Sequence, residues 1–278
     1  MRRTSLFVLA LAVSLATSAR AQRLWLPPDA TRNIGIDIAK GFYKSTDFGV
    51  NVGFASFAVT AQGRFPVNDK LAVTVAVPLA RISQTSVGYT PIGQNATQTQ
   101  TALGNPWLGV EVAARPGLII EAGIRPGIAS DDKEAALGLG IVNDFDRFEA
   151  WLPKVSSGRV MAHIGRVPDQ GGFVTGIFGG TVAIPGGSVG GTTQLYANYG
   201  MRAGFHESGI LGTVTLTGRL NLSESGASLG DRTLHQLAFN VEGTHGGFRP
   251  NASIRMFLKQ ELRAQVSAIV TVGGSFEY

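Results

Sequence analysis

Residues 71–82 read LAVTVAVPLARI, and this stretch decides the fold class. Bulky apolar side chains stand at every second position from Leu71 to Leu79, whereas Ala72 and Thr74 begin an opposite face of smaller residues. A period of two residues is typical of a β-strand, because successive side chains of a strand point to opposite faces of its sheet. The stretch therefore predicts a long strand with one apolar face.

The same alternation recurs towards the C-terminus. Residues 215–222 place Leu216, Leu220 and Leu222 on one face, with polar residues between them. The apolar face of the last stretch consists of Val266, Ala268, Val270, Val272, Gly274, Phe276 and Tyr278. The other face there is polar except for Ile269. We therefore expect several long strands, each with one apolar and one polar face.

Charged residues on the polar faces help to distinguish a membrane β-barrel from a β-sandwich. Residues of both signs fall opposite the apolar faces, at Glu111, Glu121, Arg125, Arg202, Arg219, Glu242, Arg249 and Arg255. Mean hydropathy is +0.14, yet no apolar run approaches the roughly 20 residues of a spanning helix. A membrane barrel needs an apolar outside and a polar lumen, whereas the long strands fit a secreted β-sandwich less well. The sequence predicts an all-β, antiparallel transmembrane β-barrel.

Turn residues predict the topology of that barrel. Short turns at residues 68–70, 115–117, 169–172, 206–209 and 244–247 alternate with longer connections at 83–104, 130–158, 185–192 and 223–231, and with a shorter one at 259–263. The strands expected between them are 33–42, 53–66, 70–82, 106–115, 118–129, 159–167, 173–184, 193–204, 210–222, 232–243, 248–258 and 264–278. The count is about twelve, with ten as the fallback. Bacterial barrels have short periplasmic turns and longer outer loops, so we assign the short turns to the periplasm.

The connection at residues 130–158 differs from the others in composition. Acidic Asp131 and Asp132 precede residues that favour helices, and residues 144–152 could form a second short turn of helix. Two interpretations stay open. The segment is either a helical hairpin folded into or over the pore mouth, or an ordinary surface loop.

The N-terminal residues resemble an export signal. Basic Arg2 and Arg3 precede an apolar run over residues 6–16, and small residues then lead to Ala21. This pattern predicts a signal peptide over residues 1–21, cleaved between Ala21 and Gln22, followed by a single barrel domain over residues 22–278. The mature chain would carry a net charge of +2, because three of the 24 basic residues are removed and 19 acidic residues are kept. No basic tract suggests a nucleic-acid partner, and the absence of Cys excludes thiolate metal sites and disulfides.

One motif resembles a known group of barrels. Residues 103–110 read LGNPWLGV, and this is similar to the Leu-Gly-Asx-x-x-Leu-Gly motif that begins a strand in the phenol meta-cleavage pathway transporter group. The strand–Asn-Asp-Lys–strand unit at residues 56–82 resembles that group as well. The aromatic end at Phe276 and Tyr278 looks like the signal read by the barrel-assembly machinery. The resemblance implies a channel or uptake role for small, often apolar molecules.

The histidines and glycines show no pattern of a metal or phosphate site. The four histidines, His163, His206, His235 and His245, show no metal-ligand spacing, and no glycine-rich phosphate loop follows a strand. We therefore expect no metal and no cofactor. His206 and Ser208 resemble the His-x-Ser arrangement of outer-membrane phospholipase A and lipid A deacylase barrels, in which a base activates a hydroxyl. However, Gly209 replaces the phospholipase's Asn, and the pair falls in a short periplasmic turn, so we expect no enzyme.

The lumen charges then give the functional hypothesis. Charges of both signs can select solutes across an open pore, or they can pair and close a narrow barrel. We expect a passive outer-membrane channel for small, possibly hydrophobic solutes. A closed anchor barrel that acts through its outer loops is the alternative, and a lipid hydrolase is the second alternative. The expected partners are outer-membrane lipids, the barrel-assembly machinery and a small solute.

Overall fold

An antiparallel sheet closes on itself in the computed structural model of this protein. The structure describes residues 33–43, 50–53, 55–86, 96–186, 191–226 and 228–277. The strands are β1 (Asn33–Tyr43), β2 (Val50–Val52), β3 (Phe57–Pro66), β4 (Leu71–Ser86), β5 (Ala96–Leu103), β6 (Trp107–Arg115), β7 (Leu118–Arg125), β8 (Val155–Ile164), β9 (Gly171–Pro185), β10 (Gln194–Glu207), β11 (Ile210–Asn221), β12 (Thr233–Gly243), β13 (Phe248–Phe257) and β14 (Val266–Glu277).

These fourteen segments occupy twelve positions around the barrel. Strand β2 pairs with the far end of β4, beyond the part that pairs with β3. Strand β5 pairs with the same end of β4, whereas β6 pairs with its first half. Residues 104–106 interrupt the strand between β5 and β6. Pairing of β1 with β14 closes the ring, so the predicted twelve-stranded antiparallel barrel is confirmed.

An apolar belt covers the outside of the barrel. The exposed apolar side chains include Ile34, Ile36, Val77, Leu79, Leu108, Val110, Val174, Phe178, Met201, Phe205, Val214, Leu216, Phe239, Val241, Ile254 and Val272. Their neighbours in sequence point inward and are buried, as Thr74, Thr215 and Thr271 illustrate. A barrel that exposes such a belt and buries polar groups has the architecture of an outer-membrane protein.

Three details differ from the predicted strands. The connection expected at residues 83–104 contains the end of β4 and all of β5, because Thr and Gln continue the alternation there without a bulky apolar face. The strand expected at 159–167 begins earlier, at Val155. Val266 was expected on the lipid face, but a register shift at Phe42 and Tyr43 turns it inward, where it is 4% exposed.

Short helices lie between strands at the end of the barrel that carries the long connections. They are α1 (Glu134–Asn143), α2 (Leu229–Arg232) and α3 (Gln260–Gln265), with 3-10 turns at Asp131–Lys133 and Phe145–Trp151. No helix among the described residues is long and apolar enough to cross a membrane. Helix α1 and the turn Phe145–Trp151 belong to residues 126–154, which fold into the barrel and which we call the inward loop. The interpretation as a helical segment folded into the pore mouth is therefore the correct one.

Candidate functional site

The first half of the inward loop is attached to the barrel wall by apolar contacts. Helix α1 packs against β1, β3, β4 and β5. The apolar cluster that joins them consists of Ala58, Ala80, Ile82, Ala102, Ala129, Ala136, Leu137, Leu139, Ala150 and Trp151. Leu137 and Trp151 are at most 1% exposed, and burial of a leucine side chain contributes about 2 kcal/mol. Small alanines on the wall make room for the helix, so this half is fixed to one side of the lumen.

In the second half of the inward loop the turn Phe145–Trp151 reaches across the lumen, and we call it the arm. Its last two residues, Ala150 and Trp151, belong to the apolar cluster described above, whereas Asp146 and Glu149 are held by charged partners. Asp146 forms an ion pair with Arg255 of β13 at 3.0 Å, and Glu149 forms one with Arg219 of β11 at 3.0 Å. The guanidinium of Arg219 also lies over the ring of Phe148, 3.9 Å from its centroid. Strands β11 and β13 therefore hold the arm through ionic and cation–π contacts.

Asn105, between β5 and β6, links the wall to both ends of the inward loop. Its side-chain amide lies 3.1 Å from the carbonyl oxygen of Glu149, 2.7 Å from that of Leu152 and 3.2 Å from that of Val155. Its side-chain oxygen accepts a hydrogen bond from the backbone N–H of Ala129 at 2.8 Å. Asn105 is fully buried, so these backbone groups have no water to replace it. The interruption of the strand thus serves to anchor the loop.

Two neighbouring carboxylates of the loop differ in their ionisation. Burial opposes the charge of Asp144, but the guanidinium groups of Arg147 and Arg255 outweigh it and lower the pKa of Asp144. Burial dominates at Asp146 and raises its pKa to about 6, although Arg255 acts in the opposite direction. The arm therefore carries one group that titrates just below neutral pH.

The eight charged residues predicted to line the lumen all have side chains on the inner face. Seven are buried, and Arg249 is half-buried. Within the wall, Arg159 pairs with Glu121 at 2.7 Å, and Arg249 pairs with Glu242 at 3.2 Å. Glu111 pairs with Arg64 at 2.6 Å. Arg125 and Arg202 have no carboxylate within ion-pair distance among the residues that the structure describes.

Two cavities border the arm on opposite sides of the lumen. One is a small space of about 30 Å³ that is lined by Phe145 and Asp146 of the arm and by residues of β8–β12, both apolar, such as Met161 and Ile177, and polar, such as Asn198, Thr217 and Gln236. The other, also of about 30 Å³, lies between Arg147 and strands β3, β4, β6, β7 and β8. The loop therefore divides the lumen and leaves a small space on each side of the arm.

The predicted His206 and Ser208 lie at the opposite rim, where the connections are short. The ring of His206 bonds through Nδ1 to the carbonyl oxygen of Pro168 at 2.9 Å. Ser208 has a φ of +50° in the tight turn between β10 and β11. No hydrogen bond joins the two side chains in the described part of the chain. The structure thus places the pair side by side without the base–hydroxyl contact that activates a nucleophile.

The other histidines lie apart from one another. His163 faces the lumen 3.5 Å from Glu121, whereas His235 is on the outer face and bonds to the hydroxyl of Tyr199 at 2.7 Å. His245 lies in the turn before β13. No group of three or more potential metal ligands was found among the described residues.

Of the predicted export signal and the predicted C-terminal assembly signal, only Phe276 lies within the described residues. Phe276 packs against Phe248, with 4.5 Å between ring centroids. Tyr278, the expected cleavage site at Ala21 and Gln22, and the whole signal segment lie outside them.

Sequence reasoning missed the residues of the loop that bind the wall. Asp144, Asp146 and Glu149 stand in a segment without strand periodicity, so nothing in the pattern places them inside the barrel. Asn105 and Trp107 lie in the motif at residues 103–110. A polar residue at a break in a strand, followed by an aromatic residue, was the one signal in the sequence for the place where the loop docks.

Comparison with known proteins identifies relatives by structure only. No family model matches the chain, and no curated protein matches it. The COG4313 outer membrane channel from Pseudomonas putida F1 superposes with a TM-score of 0.57 at 9% identity, covering 93% of this chain and 100% of that chain. LpxR from Salmonella typhimurium superposes with a TM-score of 0.55 at 10% identity, covering 88% and 100%. The beta domain of the Bordetella autotransporter BrkA gives 0.50 at 8% identity, covering 90% and 100%.

The fold alone is shared. At such identities these proteins establish an outer-membrane type of barrel and no activity. The prediction that the chain is not an enzyme is wrong as a conclusion from its sequence, because LpxR is an outer-membrane enzyme with the same fold. The barrel is compatible with catalysis as well as with transport.

Proposed function

We propose that this protein is an outer-membrane channel for small solutes, in which the inward loop sets the width of the passage. The observation that carries the proposal is the loop itself, which crosses the lumen and leaves a cavity on each side of the arm. Beyond the apolar clusters that hold the loop, much of the inner wall is polar or charged, as a water-filled passage requires. The fold shared with the COG4313 outer membrane channel supports the same reading.

A closed anchor barrel could contain these ion pairs, but it gives no reason for the free energy that their desolvation costs. Replacement of a buried ion pair by apolar residues of similar volume is often neutral or stabilising. A barrel that only had to stay closed would gain nothing from Arg219–Glu149 and Arg255–Asp146, which join the arm to the wall. Ionic contacts that water can replace suit an arm that moves aside, so we favour the channel.

The resemblance of residues 103–110 to the phenol meta-cleavage pathway transporter group agrees with a channel for small molecules. That group also suggests apolar solutes. The cavity beside Asp146 combines apolar side chains with amide, hydroxyl and charged groups, and the cavity beside Arg147 is lined mainly by charged and polar groups. We therefore propose passage of small solutes without restricting them to apolar ones.

Liposome swelling tests the proposal. Vesicles that contain the refolded chain should swell in small uncharged sugars, with rates that fall as the solute grows. Thr217→Trp narrows the cavity beside Asp146 and should reduce the rate severalfold. Leu216→Trp is the matched control, because Leu216 is the neighbouring residue and faces outward. No swelling with any solute from folded protein, or equal loss in both variants, would contradict the channel.

A second candidate is lipid hydrolysis through His206 and Ser208, which the fold shared with LpxR keeps under consideration. It ranks second because the ring of His206 is bonded to Pro168 rather than to Ser208. Release of fatty acid from phospholipid by the purified chain, abolished in Ser208→Ala, would promote it. Release that persists in Ser208→Ala would exclude this pair as its source.

A further inference from the structure

The cavity between Arg147 and strands β3, β4, β6, β7 and β8 is lined mainly by cations. Its ionisable lining consists of three guanidinium groups and one carboxylate, from Arg125, Arg147, Arg159 and Glu121. Arg147 is compensated outside the cavity by Asp144, at 2.7 Å, and Arg159 pairs with Glu121. Arg125 has no carboxylate within ion-pair distance among the described residues, and Glu149 and Asp144 act on it only from farther away. A buried cation is costly unless an anion accompanies it.

Arg125 and Arg159 both lie against one aromatic ring. The guanidinium carbons of Arg125 and Arg159 are 5.4 Å and 4.7 Å from the centroid of Trp107. The indole N–H of Trp107 donates to the hydroxyl of Thr74 at 2.9 Å. Gly109 lies against the ring so closely that a Cβ there would come within 2.6 Å of it. The ring is therefore fixed, and it holds two like charges close together.

Two hydrogen-bond donors of Arg159 are unused in the described part of the chain. Arg159 is 7% exposed and gives Nη2 to Glu121 at 2.7 Å, but its Nε and Nη1 have no hydrogen-bond partner in the described part of the chain. Arg125 is 2% exposed, and its described hydrogen bond runs from Nη1 to the carbonyl oxygen of Asn105 at 2.9 Å. Buried donors without partners lose their hydration and gain nothing in return.

We propose that this cavity binds a small oxyanion, the carboxylate of a small organic acid or inorganic phosphate, between Arg125 and Arg159. The planar guanidinium fork matches both groups, and charge-assisted hydrogen bonds to them are the strong class. The bound anion satisfies the unused donors of Arg159 and neutralises the excess charge beside Trp107. This inference deepens the proposed function and rests on it, since it names anions among the solutes that the channel takes.

Binding is measured on the full-length mature chain in detergent micelles, by titration calorimetry and by tryptophan emission. Sodium phosphate and sodium acetate are the two probes, and choline chloride at equal ionic strength is the cation control. Saturable heat with at least one oxyanion and none with choline is expected. The probe that gives saturable heat, phosphate or acetate, identifies the class of anion that the site binds. No saturable binding to folded protein overturns the proposal.

Three variants separate the site from general charge effects. Arg125→Gln should weaken binding about tenfold, the value of one charge-assisted hydrogen bond. Glu121→Gln should tighten it, because it removes the carboxylate that competes for Arg159. Arg202→Gln is the matched control, because Arg202 is a buried lumen arginine that does not line this cavity and has no carboxylate within ion-pair distance in the described part of the chain. Equal weakening by Arg125→Gln and Arg202→Gln, or weakening by Glu121→Gln, overturns the proposal.

Failure of this site and failure of the channel give different results. Swelling in uncharged sugars without saturable anion binding keeps the channel and overturns the site. Saturable binding with the expected order of variants, but no flux of any solute, keeps the site and contradicts the channel. Where Arg125→Gln does not fold, as judged by heat-dependent gel mobility, the tightening in Glu121→Gln is measured instead.

Discussion

Substitution of Asn105 by Ala should release the inward loop while leaving the barrel intact. The side chain makes contacts to three carbonyl oxygens and accepts from Ala129, and its two amide hydrogens limit these to about three full hydrogen bonds. At about 1 kcal/mol for each bond, the docked loop loses about 3 kcal/mol. Opening of the loop should become about 100-fold more frequent.

Amide hydrogen exchange measures this opening directly, because it reports local opening free energies residue by residue. In Asn105→Ala, amides of residues 134–151 should exchange about 100-fold faster, the ratio that corresponds to the 3 kcal/mol above. Amides of β9–β13 should keep their protection. Asn240→Ala is the control, since Asn240 is a buried inner-face amide that donates to Thr213 and Thr215 of the wall. Unchanged exchange in the loop, or equal acceleration in loop and strands, would refute the reasoning.

Two other outcomes are expected. Leu216→Arg places a charge in the lipid belt and should lower the unfolding free energy of the refolded barrel by about 2–4 kcal/mol. Thr217→Arg, on the inner face of the same strand, should lower it much less. Denaturant titrations in vesicles measure both, and equal losses would mean that the strand register is wrong. Because the pKa of Asp146 is about 6 in the docked loop, the docked form binds this proton more tightly than the released form, so docking should strengthen as pH falls through 6 towards 4. Loop exchange followed against pH should show this trend in the wild type and lose it in Asp146→Asn; an unchanged trend in that variant would assign it to another group.

The sequence was informative about the wall because a strand in a membrane barrel has a solvent on each face. Lipid on one side of Leu216 and water or polar groups on the other side of Thr215 impose a period of two that is readable without a structure. The inner-face placement of Glu121 and Arg219 follows from the same period. Where neither face was bulky, as in β5, the alternation was too weak to separate a strand from a loop.

The path of the loop could not be read in the same way. Helix α1 has little amphipathic pattern, because it is enclosed by the wall and by the rest of the loop, and Leu137 and Leu139 are buried on different sides of it. The ion pairs Arg255–Asp146 and Arg219–Glu149 join residues more than 65 positions apart, and no local pattern encodes such partners. The combination of Asn105 and Trp107 in one motif was visible, but its meaning depended on the loop that docks against it.

Single-channel recording tests the central claim most directly, namely that the inward loop constricts a conducting lumen. The full mature chain and a variant in which residues 131–151 are replaced by a short Gly-Ser linker are each inserted into planar bilayers. The account predicts small, steady conductance steps for the wild type and steps several times larger for the loop-replaced variant. Steps of equal size in the two proteins, or no conductance from either folded barrel, would contradict it.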